Sequence, residues 1–148
     1  MRRGLRYGSD AALTKDLVPY VDGKFRTKRD RQQRAVGGIS NGAAIAVRMA
    51  FQFPETFGSV GLLSGGLADG EQERFEGWVT RTSPTLWPRV RIDVGDQDAI
   101  ISLTHILTGI LDKYHVPYTL NIGHGTHSWT FWSGRMEPYL LWLARAWQ

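Results

Sequence analysis

Ala35-Val36-Gly37-Gly38-Ile39-Ser40-Asn41-Gly42-Ala43-Ala44 is the stretch on which the reading of this chain turns. Gly38 to Gly42 spell G-x-S-x-G, the pattern of a nucleophile elbow, in which a serine is held on a sharp turn between a strand and a helix. The flanks supply that context. Ala35 to Ile39 form a short apolar run suited to a buried parallel strand. Ala43, Ala44, Ala46, Val47, Ala50 and Phe51 recur at helical spacing until Pro54 ends the segment. The turn is tight, so a Cβ at the flanking glycines is expected to collide with the adjoining strand and helix. The helix N-terminus directs free N–H groups and partial positive charge at the serine, where an oxyanion would develop.

Outward from the elbow, strands and helices alternate. Leu13, Leu17, Tyr20 and Val21 predict a helix over about 10–22, bent or shortened by Pro19. Strands are expected at 34–39, 59–64, 90–94 and 118–122. Between them fall helices at 41–53 and around 103–111, and an excursion over 67–88 with a short helix near 71–78. A last helix carries Leu140, Leu143, Ala144 and Trp147, with Pro138 near its start. This alternation predicts a parallel α/β sheet of about four strands with flanking helices.

Composition narrows the classes. A chain of 148 residues with 42% hydrophobic residues and six Trp reads as one domain with a real core. No apolar run is long enough to span a membrane, and none follows Met1-Arg2-Arg3 as a secretory signal requires. The absence of Cys excludes disulfides and thiolate metal sites. A cytoplasmic location with no metal or organic cofactor is the expectation. Residues 1–34 hold ten Lys/Arg against four Asp, while the rest is net acidic. The basic run Lys24 to Arg31 lacks interleaved aromatics, so it reads as a solvated loop and not as a nucleic-acid surface.

In an open parallel sheet, ligands sit at the carboxyl ends of the strands. Here those ends carry Ser40, then Gly95-Asp96-Gln97-Asp98, then Gly123-His124-Gly125-Thr126-His127. The order Ser, Asp, His suits nucleophilic acyl transfer. A serine hydroxyl needs a neutral imidazole to take its proton, and a carboxylate to fix the imidazole tautomer and stabilise the imidazolium.

Together these residues resemble the C-terminal part of the putative-esterase family of α/β-hydrolases, which includes esterase D, enterochelin-esterase, feruloyl-esterase and antigen 85-type proteins. The matching runs are Asp16 to Val21, Gly38 to Gly42, Phe53-Pro54-Glu55-Thr56-Phe57 and Leu63-Ser64-Gly65. They continue with Val94 to Asp98 and Gly125-Thr126-His127-Ser128-Trp129 followed by Trp132. The resemblance implies Ser40 as nucleophile, His127 as base and Asp98 as acid, with Asp96 as the alternative acid. It implies an oxyanion hole built on the Asn41 N–H. Trp129, Trp132 and His124 are candidates for a pocket wall, with core packing the alternative for the tryptophans. Asp93 and Ser64 read as structural, and His105 and His115 as surface residues.

Two departures from the family accompany the match. Ala43 stands where many relatives have glycine. The elbow comes so early that residues 1–148 read as a single α/β-hydrolase-like domain without the usual N-terminal strands. In relatives those strands include the loop that gives the second oxyanion N–H. The elbow strand is then expected at the sheet edge, where pairing with a second copy would give a homo-oligomer. The implied function is a serine carboxylesterase for short-chain acyl esters. A catalytically weak or inactive fragment, or an interaction module, is the alternative.

Overall fold

Four parallel strands form the frame, and each pairs with the next in sequence, so the sheet order is β1-β2-β3-β4. The computed structural model describes residues 11–145 and 147. The strands are β1 (Ala35–Ile39), β2 (Ser59–Leu63), β3 (Arg89–Gly95) and β4 (Tyr118–Gly123). The helices are α1 (Val18–Lys24), α2 (Asn41–Gln52), α3 (Gln72–Arg81), α4 (Ile101–Lys113) and α5 (Trp129–Ala144). All four expected strands are present within a residue or two. The strand that leads into Ser40 is an edge strand, as the family order implies.

The pleat divides the sheet into two faces with different chemistry. Val36, Val60, Val90 and Tyr118 lie in register, as do Gly38, Leu62, Ile92 and Leu120. This face packs against Val47, Ala50 and Phe51 of α2, Phe75 and Val79 of α3, and Leu107 and Leu111 of α4. Those seven side chains are essentially inaccessible to water. At about 25 cal/mol per Å² of apolar area, this layer supplies most of the driving force for folding. One ion pair is sunk beside it, Arg48 Nη1 to Glu71 Oε1 at 2.9 Å.

The opposite face is polar and is covered by α5. Arg91 makes a bidentate pair with Asp93, whose side chain is fully buried. Tyr139 of α5 lies across Gly37 and Gly61, and a Cβ on Gly61 would come within 2.0 Å of its ring. Burial pushes the Tyr139 phenol up, and the nearby Asp93 carboxylate adds to this. Asp93 thus has the structural place expected for it.

Several sequence expectations change in detail. The first helix region contains a π-helical turn at Leu13–Leu17 before α1, with Pro19 in the first turn of α1. Asp10, where that helix was expected to begin, lies outside the described residues, as do Met1, Arg2 and Arg3. The last helix starts at Trp129, well before Pro138, which sits inside it. Its start is set by Ser128, whose hydroxyl accepts the Phe131 N–H at 3.4 Å. The mixed pattern of 129–137 hides this turn from periodicity, so Pro138 was a misleading start signal.

The basic segment is also more ordered than a solvated loop. Arg31 donates to the carbonyls of Pro54, Phe57 and Leu86, and Arg34 pairs with Asp22 at 2.7 Å. These arginines fasten the approach to β1 onto the loops that leave α2 and α3. No helix among the described residues is long and apolar enough to cross a membrane.

Candidate active site

Ser40 occupies the turn between β1 and α2 with φ 55° and ψ −120°, a conformation that L-residues rarely adopt. Such strain persists only where the surroundings enforce it. Here the Ser40 N–H donates to Leu63 O at 2.9 Å, which ties the turn to the end of β2. Its carbonyl accepts the N–H groups of Ala43 and Ala44. A helix leaves its first four N–H groups without intrahelical partners, and those of Asn41 and Gly42 remain at this end.

The two flanking glycines have different reasons. A Cβ on Gly38 would come within 2.3 Å of the Gly42 carbonyl carbon, so no side chain fits there. At Gly42 a Cβ would meet nothing within 4 Å, which corrects the expectation of a collision on that side. Ala43, where relatives carry glycine, is accommodated from across the sheet. Gly65 leaves room for its methyl, because a Cβ on Gly65 would lie 2.4 Å from Ala43 Cβ.

Three side chains converge from three different loops. His127 Nε2 lies 3.0 Å from Ser40 Oγ. His127 Nδ1 lies 3.0 Å from both carboxylate oxygens of Asp98. Asp98 Oδ1 also accepts the Ile100 N–H at 3.0 Å. The Asp98 side chain is completely buried, whereas His127 keeps about a quarter of its surface. Burial pushes the Asp98 carboxyl up, but hydrogen bonds from Ser64, Ile100 and His127 outweigh it, and the net shift is downward. Asp98 is therefore ionised at neutral pH and can hold the imidazole with Nε2 free to accept a proton.

Asp96, the alternative acid, points elsewhere. It accepts the Gly125 N–H at 3.0 Å and contacts His124 at 3.2 Å on the exposed surface. The Gly125 N–H, then the His124 side chain, hold its carboxyl below the ordinary range. His124 is spent on this contact and is 81% exposed.

The two tryptophans part company. Trp129 is exposed and meets Trp132 edge-on, with ring centroids 6.5 Å apart. Trp132 stacks edge-to-face on His127 at 4.9 Å and donates its indole N–H to Ser64 Oγ at 2.8 Å. Ser64, read as a structural strand-end residue, is fully buried with φ 50°. Its nearby hydroxyl helps keep the Asp98 carboxyl low. Sequence reasoning missed this contact; the one signal was a serine before Gly65-Gly66 at the end of an apolar strand. His105 and His115 are exposed and take no part.

A cleft of about 520 Å³, lined by Leu17, Val21, Ala35 and Trp147, lies at the amino end of β1 and so far from Ser40. A more polar one of about 540 Å³ lies nearer, along Gln97, His124, Thr126, Phe131 and Arg135, so His124 does line a cleft. Among the described residues, no group of three or more His, Asp or Glu is placed to hold a metal ion.

A 57-residue stretch is 40% identical to an endo-1,4-beta-xylanase/feruloyl esterase of Xylanibacter ruminicola, covering 38% of this chain and 8% of that protein. The fold superposes on a ferulic acid esterase with a TM-score of 0.80 at 19% identity, over 94% of this chain and 61% of the other. The S-formylglutathione hydrolase FrmB of Staphylococcus aureus gives a TM-score of 0.75 at 17% identity, over 91% and 62%. The enterobactin esterase FES of Shigella flexneri gives 0.78 at 20% identity, over 94% and 38%. The chain thus spans about three-fifths of the first two structures and a small part of the curated relative. At these identities the structural likenesses establish an α/β-hydrolase-like fold. The family described as "Putative esterase" matches residues 4–143, nearly the whole chain, and the protein belongs to that family.

Proposed function

We propose that this protein is a serine carboxylesterase that cleaves short-chain acyl esters through an acyl-enzyme. The observation that carries this reading is the unbroken hydrogen-bond path from Ser40 Oγ through His127 to a buried, ionised Asp98. In the first half-reaction Ser40 Oγ attacks the ester carbonyl while His127 Nε2 takes its proton. The tetrahedral oxyanion forms at the N-terminus of α2, where the Asn41 N–H serves as a donor. His127 then returns the proton to the departing alkoxide, which leaves as the alcohol. In the second half-reaction a water attacks the acyl-enzyme by the same route, releasing the acid and restoring Ser40. Asp98 stays ionised throughout and stabilises the imidazolium.

Ser40 and His127 are only partly buried, which suits a small acyl ester. The named feruloyl specificity of one relative makes methyl ferulate a natural second substrate to assay. For the open edge of β1 we propose pairing with a second copy, giving a homodimer.

The deciding experiment is hydrolysis of p-nitrophenyl acetate by wild type and Ser40→Ala. Wild type should exceed the variant by about 10³ or more. Equal rates would leave the alternative, an α/β-hydrolase-like interaction module without turnover.

A further inference from the structure

The polar cleft beside the loop from β4 to α5 holds a cation that no acidic group of the fold neutralises. Arg135 lies on α5, about one turn beyond Phe131, and both line this space of about 540 Å³. Among the described residues, no carboxylate pairs with Arg135 and no group accepts a hydrogen bond from it. The guanidinium is nonetheless held in place. Its Cζ lies 5.2 Å from the centroid of the Phe131 ring, which is itself buried. Its Nη2 rests against the backbone of Gly123 at the end of β4, where a Cβ would overlap it. Gly125 in turn leaves room for the ring, since a Cβ there would come within 2.6 Å of Phe131 Cδ2. Two glycines and one ring thus fix a half-buried guanidinium before any ligand arrives, which lowers the ordering cost of binding.

The rest of the cleft asks for the same kind of ligand. Thr126, Ser128 and Thr130 bring hydroxyls and Gln97 an amide, all of which can donate. The Ser128 oxygen accepts the Phe131 N–H, so its own hydrogen is free to turn outward. No Asp or Glu lines the cleft. Asp96 adjoins it through His124, and its two oxygens are taken by His124 Nδ1 and the Gly125 N–H. A fixed cationic fork with several donors and no acid of its own matches an anion with at least two oxygens.

We propose that this cleft is an anion subsite in which Arg135 takes a carboxylate or phosphate group. Thr126 and Ser128 flank His127 in the chain, so the subsite shares its wall with the base of the proposed triad. The anion is either a free ion or the charged end of an ester substrate, and the recognising chemistry is the same for both.

The test titrates inorganic phosphate into the isotope-labelled chain by NMR at neutral pH. Sodium chloride keeps the ionic strength constant, so non-specific attraction cancels. The Arg135 Nε–H and the amides of 124–130 should shift together and saturate with a Kd of about 1–10 mM. Arg135→Met keeps an unbranched stem against Phe131 and should weaken binding about tenfold or more. Arg135→Lys keeps the charge without the fork and should weaken it about threefold or more, and it replaces the Met variant if circular dichroism shows that one unfolded.

A second arm distinguishes the two sources. Para-acetoxybenzoate and its methyl ester carry the same acetyl group and differ by one charge. If the substrate's own anion fills the subsite, the ratio of their kcat/KM values should fall about tenfold from wild type to Arg135→Met, mostly through KM. A constant ratio with Arg135-dependent phosphate binding assigns the subsite to a free anion. Phosphate that does not bind in an Arg135-dependent way, together with an unaltered ratio, would overturn the proposal. The phosphate arm needs no turnover, so it decides the subsite even if Ser40→Ala proves as active as wild type.

Discussion

Replacing Asp98 by Asn separates the two candidate acids and tests the chemistry at its least accessible point. The exchange is nearly isosteric, and the site is fully buried, so the fold should survive. What changes is the hydrogen-bond polarity. Ile100 N–H donates to Oδ1 at 3.0 Å, so an Asn must keep its carbonyl oxygen there. The amide NH₂ then takes the Oδ2 position, so of the two atoms 3.0 Å from His127 Nδ1 only Oδ1 still accepts, and it is shared with Ile100. A donor at that point opposes the tautomer that carries a proton on Nδ1, and so disfavours an Nε2 free to accept from Ser40. The negative charge that would stabilise the imidazolium is lost as well. Together these effects should lower kcat/KM by about 10³–10⁴, or roughly 4–5.5 kcal/mol. The assay is p-nitrophenyl acetate hydrolysis at pH 8, with circular dichroism to check the fold and Asp96→Asn beside it. Asp96 is exposed and bonded to His124, so its variant should stay within about threefold of wild type. A folded Asp98→Asn protein within tenfold of wild type, or an Asp96→Asn protein that loses more, would refute the reasoning.

Three other outcomes are expected. Arg48→Met leaves the buried Glu71 carboxylate without its ion-pair partner and should cost about 3 kcal/mol, lowering the melting temperature by roughly 6–12 °C. Adding Glu71→Leu should recover most of that loss. Asp98 has a depressed carboxyl, so the stability it contributes is present above the ordinary carboxylate range and is lost as pH falls through its lowered value. Urea melts at pH 7 and pH 3 should therefore show a smaller acid loss for Asp98→Asn than for wild type. Light scattering at micromolar concentration should give the mass of a dimer, and a strictly monomeric species would rule out pairing through β1.

The elbow sequence and the four strands were legible in the sequence because each rests on local rules, whereas Ser40, Asp98 and His127 were assigned through the resemblance. An apolar run, a glycine where a Cβ would strike the next helix, and a polar residue just past a strand end are signals carried by a few neighbouring residues. The sheet order followed from the resemblance, in whose family order these four strands are neighbours. The end of the chain was less legible, because the mixed polarity of 129–137 masks the start of α5 and Pro138 imitates one.

Tertiary structure decided what depends on direction. Asp96 and Asp98 differ by two positions in one turn. Only the folded backbone sends Asp98 inward to His127 and Asp96 outward to His124. Ser64 and Trp132 are 68 residues apart, and no periodicity links them. Their bond exists because β2 ends where the first turn of α5 passes, bringing an indole N–H onto a buried hydroxyl. Local sequence determined which reactive groups this protein has and in what order; the packing of α5 on the sheet determined which of them can act together.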